Sequence, residues 1–96
     1  MATENILTII ENLKDQVRRD YKADIKGIFG SYVRGEQTSQ SDIDVLVEFH
    51  NSADLFDFVG LSQFLQERLN CKVDVVPLSS LREEVKPYVL REAVYL

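Results

Sequence analysis

The stretch Ser41-Asp42-Ile43-Asp44-Val45-Leu46-Val47-Glu48-Phe49 decides how the rest of the chain is read. Its polar and apolar residues alternate, so in an extended strand Ile43, Val45, Val47 and Phe49 share one face while Asp42, Asp44, Leu46 and Glu48 share the other. That is the pattern of a half-buried strand. Residues two apart on one strand face lie about 6.5 to 7 Å apart, so the carboxylates of Asp42 and Asp44 can converge on a single cation. Without one they repel each other.

Working outward toward the N-terminus, residues 36–41 are polar throughout and predict an exposed loop, and residues 31–35 read as one short helical turn. Residues 25–30 are short, β-branched and aromatic and end at Gly30, which suits a strand entering a tight turn. Before them, Ile6, Ile10, Leu13 and Val17 recur at spacings of three and four, predicting an amphipathic helix from Thr3 to about Tyr21 with Thr3 or Asn5 as cap. Toward the C-terminus, Leu55, Phe58, Leu61, Leu65 and Leu69 return to helical spacing between Asp54 and Asn70, with Ser52 or Asp54 as cap. Residues 72–76 predict a strand closed by Pro77. Ser80 and Glu83 have the spacing of a capping box for a third helix, which Pro87 either interrupts or replaces with another. Residues 93–96 fit a last helical turn or a short edge strand equally well. The order helix, strand, strand, helix, strand, helix predicts an α+β two-layer fold, helices packed on a small mixed sheet, as a single domain over residues 1–96.

Composition narrows the function. A chain of 96 residues with 45% hydrophobic content supports one core without disulfides. The single cysteine, Cys71, forms no internal bridge, and no leader-like or membrane-spanning run appears, so a cytoplasmic setting is expected and membrane attachment is not. The formal net charge of -5 repels a long polyanion, so direct nucleic-acid binding is not expected either. A nucleotide remains compatible, because bound cations invert the local field of an acidic site.

Magnesium takes octahedral oxygen coordination and often only one or two protein carboxylates, leaving places for water and phosphate oxygens. Asp42 and Asp44 meet that need, although a lone Asp-x-Asp is often no more than the polar face of an edge strand. Asp74 adds weight. It lies between Val73 and Val75 in the next predicted strand, where aspartate is disfavoured. If the two strands are neighbours, the three carboxylates form a cluster suited to two divalent ions; otherwise Asp74 pairs with Lys72 or Lys26. Gly30-Ser31 follows a strand and opens a helical turn, so its backbone N–H groups and hydroxyl can face a phosphate, or it is an ordinary turn with a serine cap. Arg34, one turn on, reaches phosphate oxygens or pairs with Glu36 or an aspartate.

Taken together, Gly30-Ser31-Tyr32-Val33-Arg34-Gly35, the polar spacer, and Ser41-Asp42-Ile43-Asp44-Val45-Leu46-Val47 closely resemble the motif of the DNA polymerase beta-like nucleotidyltransferase superfamily, and the chain looks like its minimal, MNT-type branch. The resemblance runs from the opening helix through Asp74 to the terminal Arg91-Glu92-Ala93-Val94-Tyr95-Leu96. It implies that the Gly30-Ser31 turn holds a triphosphate, that Asp42 and Asp44 bind magnesium, or manganese in its place, and that Asp74 binds metal and helps activate the acceptor hydroxyl. ATP is the implied donor of the nucleoside monophosphate. Val33 stands where the family often has alanine. Larger members add a second domain for base and acceptor, so here a partner or a second subunit, such as a homo-oligomer, must supply those contacts. Minimal members commonly act as antitoxins of a HEPN-domain toxin, and some adenylylate a tyrosine of it. The competing readings are a binding module that neutralises such a partner by surface contact alone and a nucleotide sensor without turnover.

Other residues are read more plainly: His50 as a surface loop histidine that could stack on a base, Cys71 as packed, Arg18-Arg19 and Glu83-Glu84 as solvated helix faces, and Tyr88 and Tyr95 as packing or interface residues.

Overall fold

The structure is a computed structural model that describes residues 3–29 and 43–95. Expectations that fall on residues 30–42, and on the side chains of Thr3 and Asn5 as helix caps, lie outside it. Helix α1 (Thr3–Tyr21) buries Ile6, Ile10, Leu13 and Val17, the stripe its spacing predicts. Lys22, in the left-handed region at φ 55°, turns the chain directly into strand β1 (Ala23–Phe29), which starts two residues earlier than its β-branched run suggests. Strand β2 (Ile43–Phe49) follows, then α2 (Leu55–Leu69), β3 (Val73–Pro77), a 3-10 turn (Leu78–Ser80), α3 (Lys86–Glu92) and β4 (Val94–Tyr95).

The strands form one mixed sheet in the order β3-β2-β1-β4, with β2 antiparallel to β1, parallel to β3, and β4 antiparallel to β1. A parallel neighbour requires a crossover, and α2 supplies it between β2 and β3. Helices α1 and α2 pack on one face, α1 against β1 and α2 against β3. Between helices and sheet lies the core, where Ile25, Ile28, Ile43, Val45, Val47, Val73 and Val75 meet the helix stripes. This is the expected α+β two-layer arrangement.

Two local devices set the geometry. The capping box of α2 is reciprocal: the Asp57 backbone N–H donates to Asp54 Oδ1 and the Asp54 backbone N–H to Asp57 Oδ2, each at 3.0 Å. Of the two cap candidates, Asp54 therefore serves. In β1 the register slips between Ile25 and Gly27, a bulge that leaves Ile25 and Ile28 on the core side and Gly27 opposite Leu46. There β4 crosses so closely that a Cβ on Gly27 would lie 2.2 Å from the Val94 carbonyl oxygen.

Two expectations are corrected and one open alternative is resolved. Ser80 does not open a helix; its hydroxyl donates to the Pro77 carbonyl at 2.8 Å and closes the 3-10 turn, while α3 begins at Lys86 with Pro87 in its first turn. Proline is well placed there because the first helical N–H groups have no internal partner. Leu55, read as part of the buried stripe of α2, is 73% exposed. The first contact of that stripe with the sheet is Phe58 against Phe49, the last residue of β2, both partly buried with ring centroids 5.8 Å apart; Leu55 precedes that contact by three residues. Of the two alternatives for the end of the chain, the edge strand is observed at Val94–Tyr95, paired through Gly27–Tyr95 and Ile28–Val94.

Candidate functional site

On the sheet face turned away from α1 and α2, the register of the parallel pair sets Asp44 of β2 opposite Asp74 of β3. The faces follow from the alternation: Ile43 and Val45 beside Asp44, and Val73 and Val75 beside Asp74, all point into the core. The two aspartates therefore project to the same open side. Neighbouring strands lie about 4.8 Å apart, so their carboxylates start from adjacent positions. On its other flank Asp44 is the register partner of Phe29, and it is half-buried between the two strands, whereas Asp74, on the outer strand, is exposed. Like charges directly opposite each other destabilise a sheet, unless a cation shares them.

The donor set fits magnesium or manganese, hard cations that favour carboxylate oxygens. Of the three expected ligands, Asp44 and Asp74 are brought together, and Asp42 lies outside the described residues, as do Gly30, Ser31 and Arg34. Among the described residues no group of three or more His, Cys, Asp or Glu converges. Lys26 Nζ faces Glu48 Oε1 at 3.7 Å.

At the far end of the sheet a second polar cluster escaped the sequence reading. Arg18 Nε donates to Asp24 Oδ1 at 2.6 Å, and His50 Nε2 lies 3.2 Å from Asp24 Oδ2. Partial burial raises the Asp24 carboxyl, but the hydrogen bonds and charges of Arg18 and His50 outweigh it and hold its pKa below the ordinary value. The backbone N–H of His50 also donates to the Lys22 carbonyl at 2.8 Å, extending the β1–β2 ladder. His50 is thus anchored to Asp24 at a strand end, where sequence offered only a loop position. No local pattern could have revealed this cluster, because its members are 6 and 26 residues apart. A groove of about 550 Å³ adjoins it, lined by Glu48, His50, Asn51, Ser79 and Lys86 among others; neither Asp44 nor Asp74 lines it. Cys71 packs against the core from a partly buried position, as expected.

No helix of the described residues is long and apolar enough to cross a membrane. The nucleotidyltransferase domain family matches residues 10–96. The protein adenylyltransferase MntA of Thermococcus cleftensis is 38% identical over 96 residues, which cover 100% of this chain and 97% of that one. Among solved structures, a minimal nucleotidyltransferase superposes with a TM-score of 0.83 at 32% identity, covering 100% of this chain and 97% of the other. A chain in the complex of a tri-AMPylated Shewanella oneidensis HEPN toxin with an MNT antitoxin superposes at 0.63 with 27% identity, covering 92% and 69%. The sheet that sets Asp44 beside Asp74 and these similarities over most or all of the chain agree: the chain belongs to the nucleotidyltransferase domain family, in its minimal branch, and is a nucleotidyltransferase.

Proposed function

We propose that the protein transfers AMP from ATP to a hydroxyl, the acceptor being a tyrosine of a HEPN-type partner, and that it acts in the cytoplasm as the antitoxin of that partner. The observation that carries this reading is the opposition of Asp44 and Asp74 across β2 and β3. Two carboxylates side by side on one side of the sheet support a site that phosphates and an acceptor oxygen can approach. The name of the Thermococcus relative, a protein adenylyltransferase, and the AMPylated toxin in the Shewanella complex support the choice of AMP and of a protein acceptor.

In this reading Asp42 and Asp44 hold magnesium with the triphosphate, Asp74 lies on the acceptor side, and Gly30, Ser31 and Arg34 bind phosphate oxygens. Bound magnesium supplies charge neutralisation for the leaving pyrophosphate and the attacked phosphorus. Asp74 orients the acceptor hydroxyl and takes its proton, the role of a general base. The bond that forms joins the acceptor oxygen to the α-phosphorus, and the bond that breaks releases pyrophosphate. Co-expression with the HEPN-type partner, followed by mass spectrometry of that partner, tests the reading. An added AMP on tyrosine, absent with Asp44→Asn, is the expected result. An unmodified partner that is nonetheless neutralised by the Asp44→Asn protein would show that surface contact alone does the work.

A further inference from the structure

We infer that Leu55, Phe56 and Val59, at the start of α2, form the docking face for the protein that receives the nucleotide, and that the matching surface is apolar with a basic rim. The inference rests on the proposed transfer to a partner protein and adds where that partner is held. Phe56 is 87% exposed, Leu55 73% and Val59 46%. Val59 lies three and four residues after Phe56 and Leu55, so the three share one outward surface of the first helical turns. The core needs none of them, because Phe58, Leu61, Phe64 and Leu65 make the inward contacts of α2.

Their backbone is held firmly. The Asp54–Asp57 capping box fixes the first turn, Lys22 Nζ reaches Asp57 Oδ2 at 3.9 Å, and the Phe49–Phe58 ring pair ties the next turn to the end of β2. A large aromatic and a leucine side by side on a rigid turn lose little conformational freedom when covered, as anchor residues of interfaces do.

Charge selects the occupant. The exposed Asp54 borders the cluster, and the chain carries a formal net charge of -5. Two copies meeting through this face would bring like-charged rims and like-charged chains together, and an anionic membrane or nucleic acid would meet the same repulsion. A protein surface edged with lysine or arginine would be attracted. The face also lies apart from the transfer chemistry. It sits on the helix side of the sheet beyond the end of β2, whereas Asp44 is on the opposite side, five residues before Phe49 and so about 17 Å along the strand. Docking there should therefore govern affinity for the acceptor protein without altering the reacting groups.

The test uses the double variant Leu55→Ser with Phe56→Ser, whose fold is checked by circular dichroism and melting, titrated with the HEPN-type partner by calorimetry and assayed for transfer. Binding weakened at least tenfold, with KM for the partner raised at least tenfold and kcat within twofold, is the expected result. Asp54→Asn keeps a capping side chain but removes the rim charge; it should flatten the salt dependence of association. Unchanged affinity in the double variant, or unchanged salt dependence with Asp54→Asn, would overturn the docking face while leaving the transfer reaction standing. Absence of any complex with the wild-type chain would overturn both. Sedimentation showing a wild-type dimer that the double variant loses would assign the face to a second copy and overturn the inference.

Discussion

Asp44 and Asp74 are register partners across the parallel β2–β3 pair, with Asp44 also flanked by Phe29 of β1. The half-buried member of the pair is thus fixed between two strands, while the outer member sits on an edge strand and faces solvent. This asymmetry fits a division of labour in which one carboxylate anchors and the other meets an incoming acceptor.

Asp74→Asn should lower the transfer rate by about 10² to 10⁴-fold while leaving nucleotide and magnesium binding largely intact, whereas Asp44→Asn should weaken both. Calorimetric titration with a non-hydrolysable ATP analogue, run beside the transfer assay, separates the two. Near-wild-type transfer by the Asp74→Asn protein would remove Asp74 from the site.

Magnesium with ATP should raise the melting temperature, since a ligand that binds only the folded state stabilises it by about 2.7 kcal/mol at a hundred times its Kd. Asp42→Ala combined with Asp44→Ala should abolish that gain, because phosphates and carboxylates share the cation. A melting shift of the same size in the double variant would exclude the proposed metal site.

Gly27 is required by packing. Its Cβ position lies 2.2 Å from the Val94 oxygen and 3.1 Å from the Tyr95 Cα, both backbone atoms that cannot rotate aside. Gly27→Ala should therefore displace β4, at a cost of about 1 to 3 kcal/mol, visible as a lowered urea midpoint and faster amide exchange in the last strand. The core around Ile6 and Leu65 should be unaffected.

Acid should weaken the far end of the sheet. The folded pKa of Asp24 is held below its ordinary value, so its contribution to stability is complete above the unfolded pKa of about 3.9 and is lost as pH falls through the folded value. The effect is modest, because Arg18 is largely exposed. Denaturation midpoints measured from pH 5 downward should fall less steeply in Asp24→Asn than in the wild-type chain. Parallel curves would show that the Arg18–Asp24–His50 cluster does not stabilise the fold.

The sequence by itself determined the elements whose patterns repeat: the stripe of α1, the alternation of β2 from Ile43 to Phe49, the interior of α2, and the α+β class. It also marked Asp42 and Asp44 as candidate ligands by their spacing of two, and Asp74 because an aspartate between valines is legible locally. What it misjudged or left open were features that spacing alone does not fix. Ser80 and Glu83 have capping-box spacing, yet Ser80 bonds back to Pro77 and the helix waits for Lys86 and Pro87. Leu55 keeps helical phase with Phe58, but burial depends on whether a strand lies beneath it, and β2 ends at Phe49. Residues 94–95 are too few for any period, so only pairing with Gly27 and Ile28 made them a strand. The opposition of Asp44 and Asp74, the Asp24 cluster and the exposed face of Leu55 and Phe56 were likewise decided by tertiary structure. Periodicity says which side of an element is apolar, whereas register and burial come from how whole elements pack.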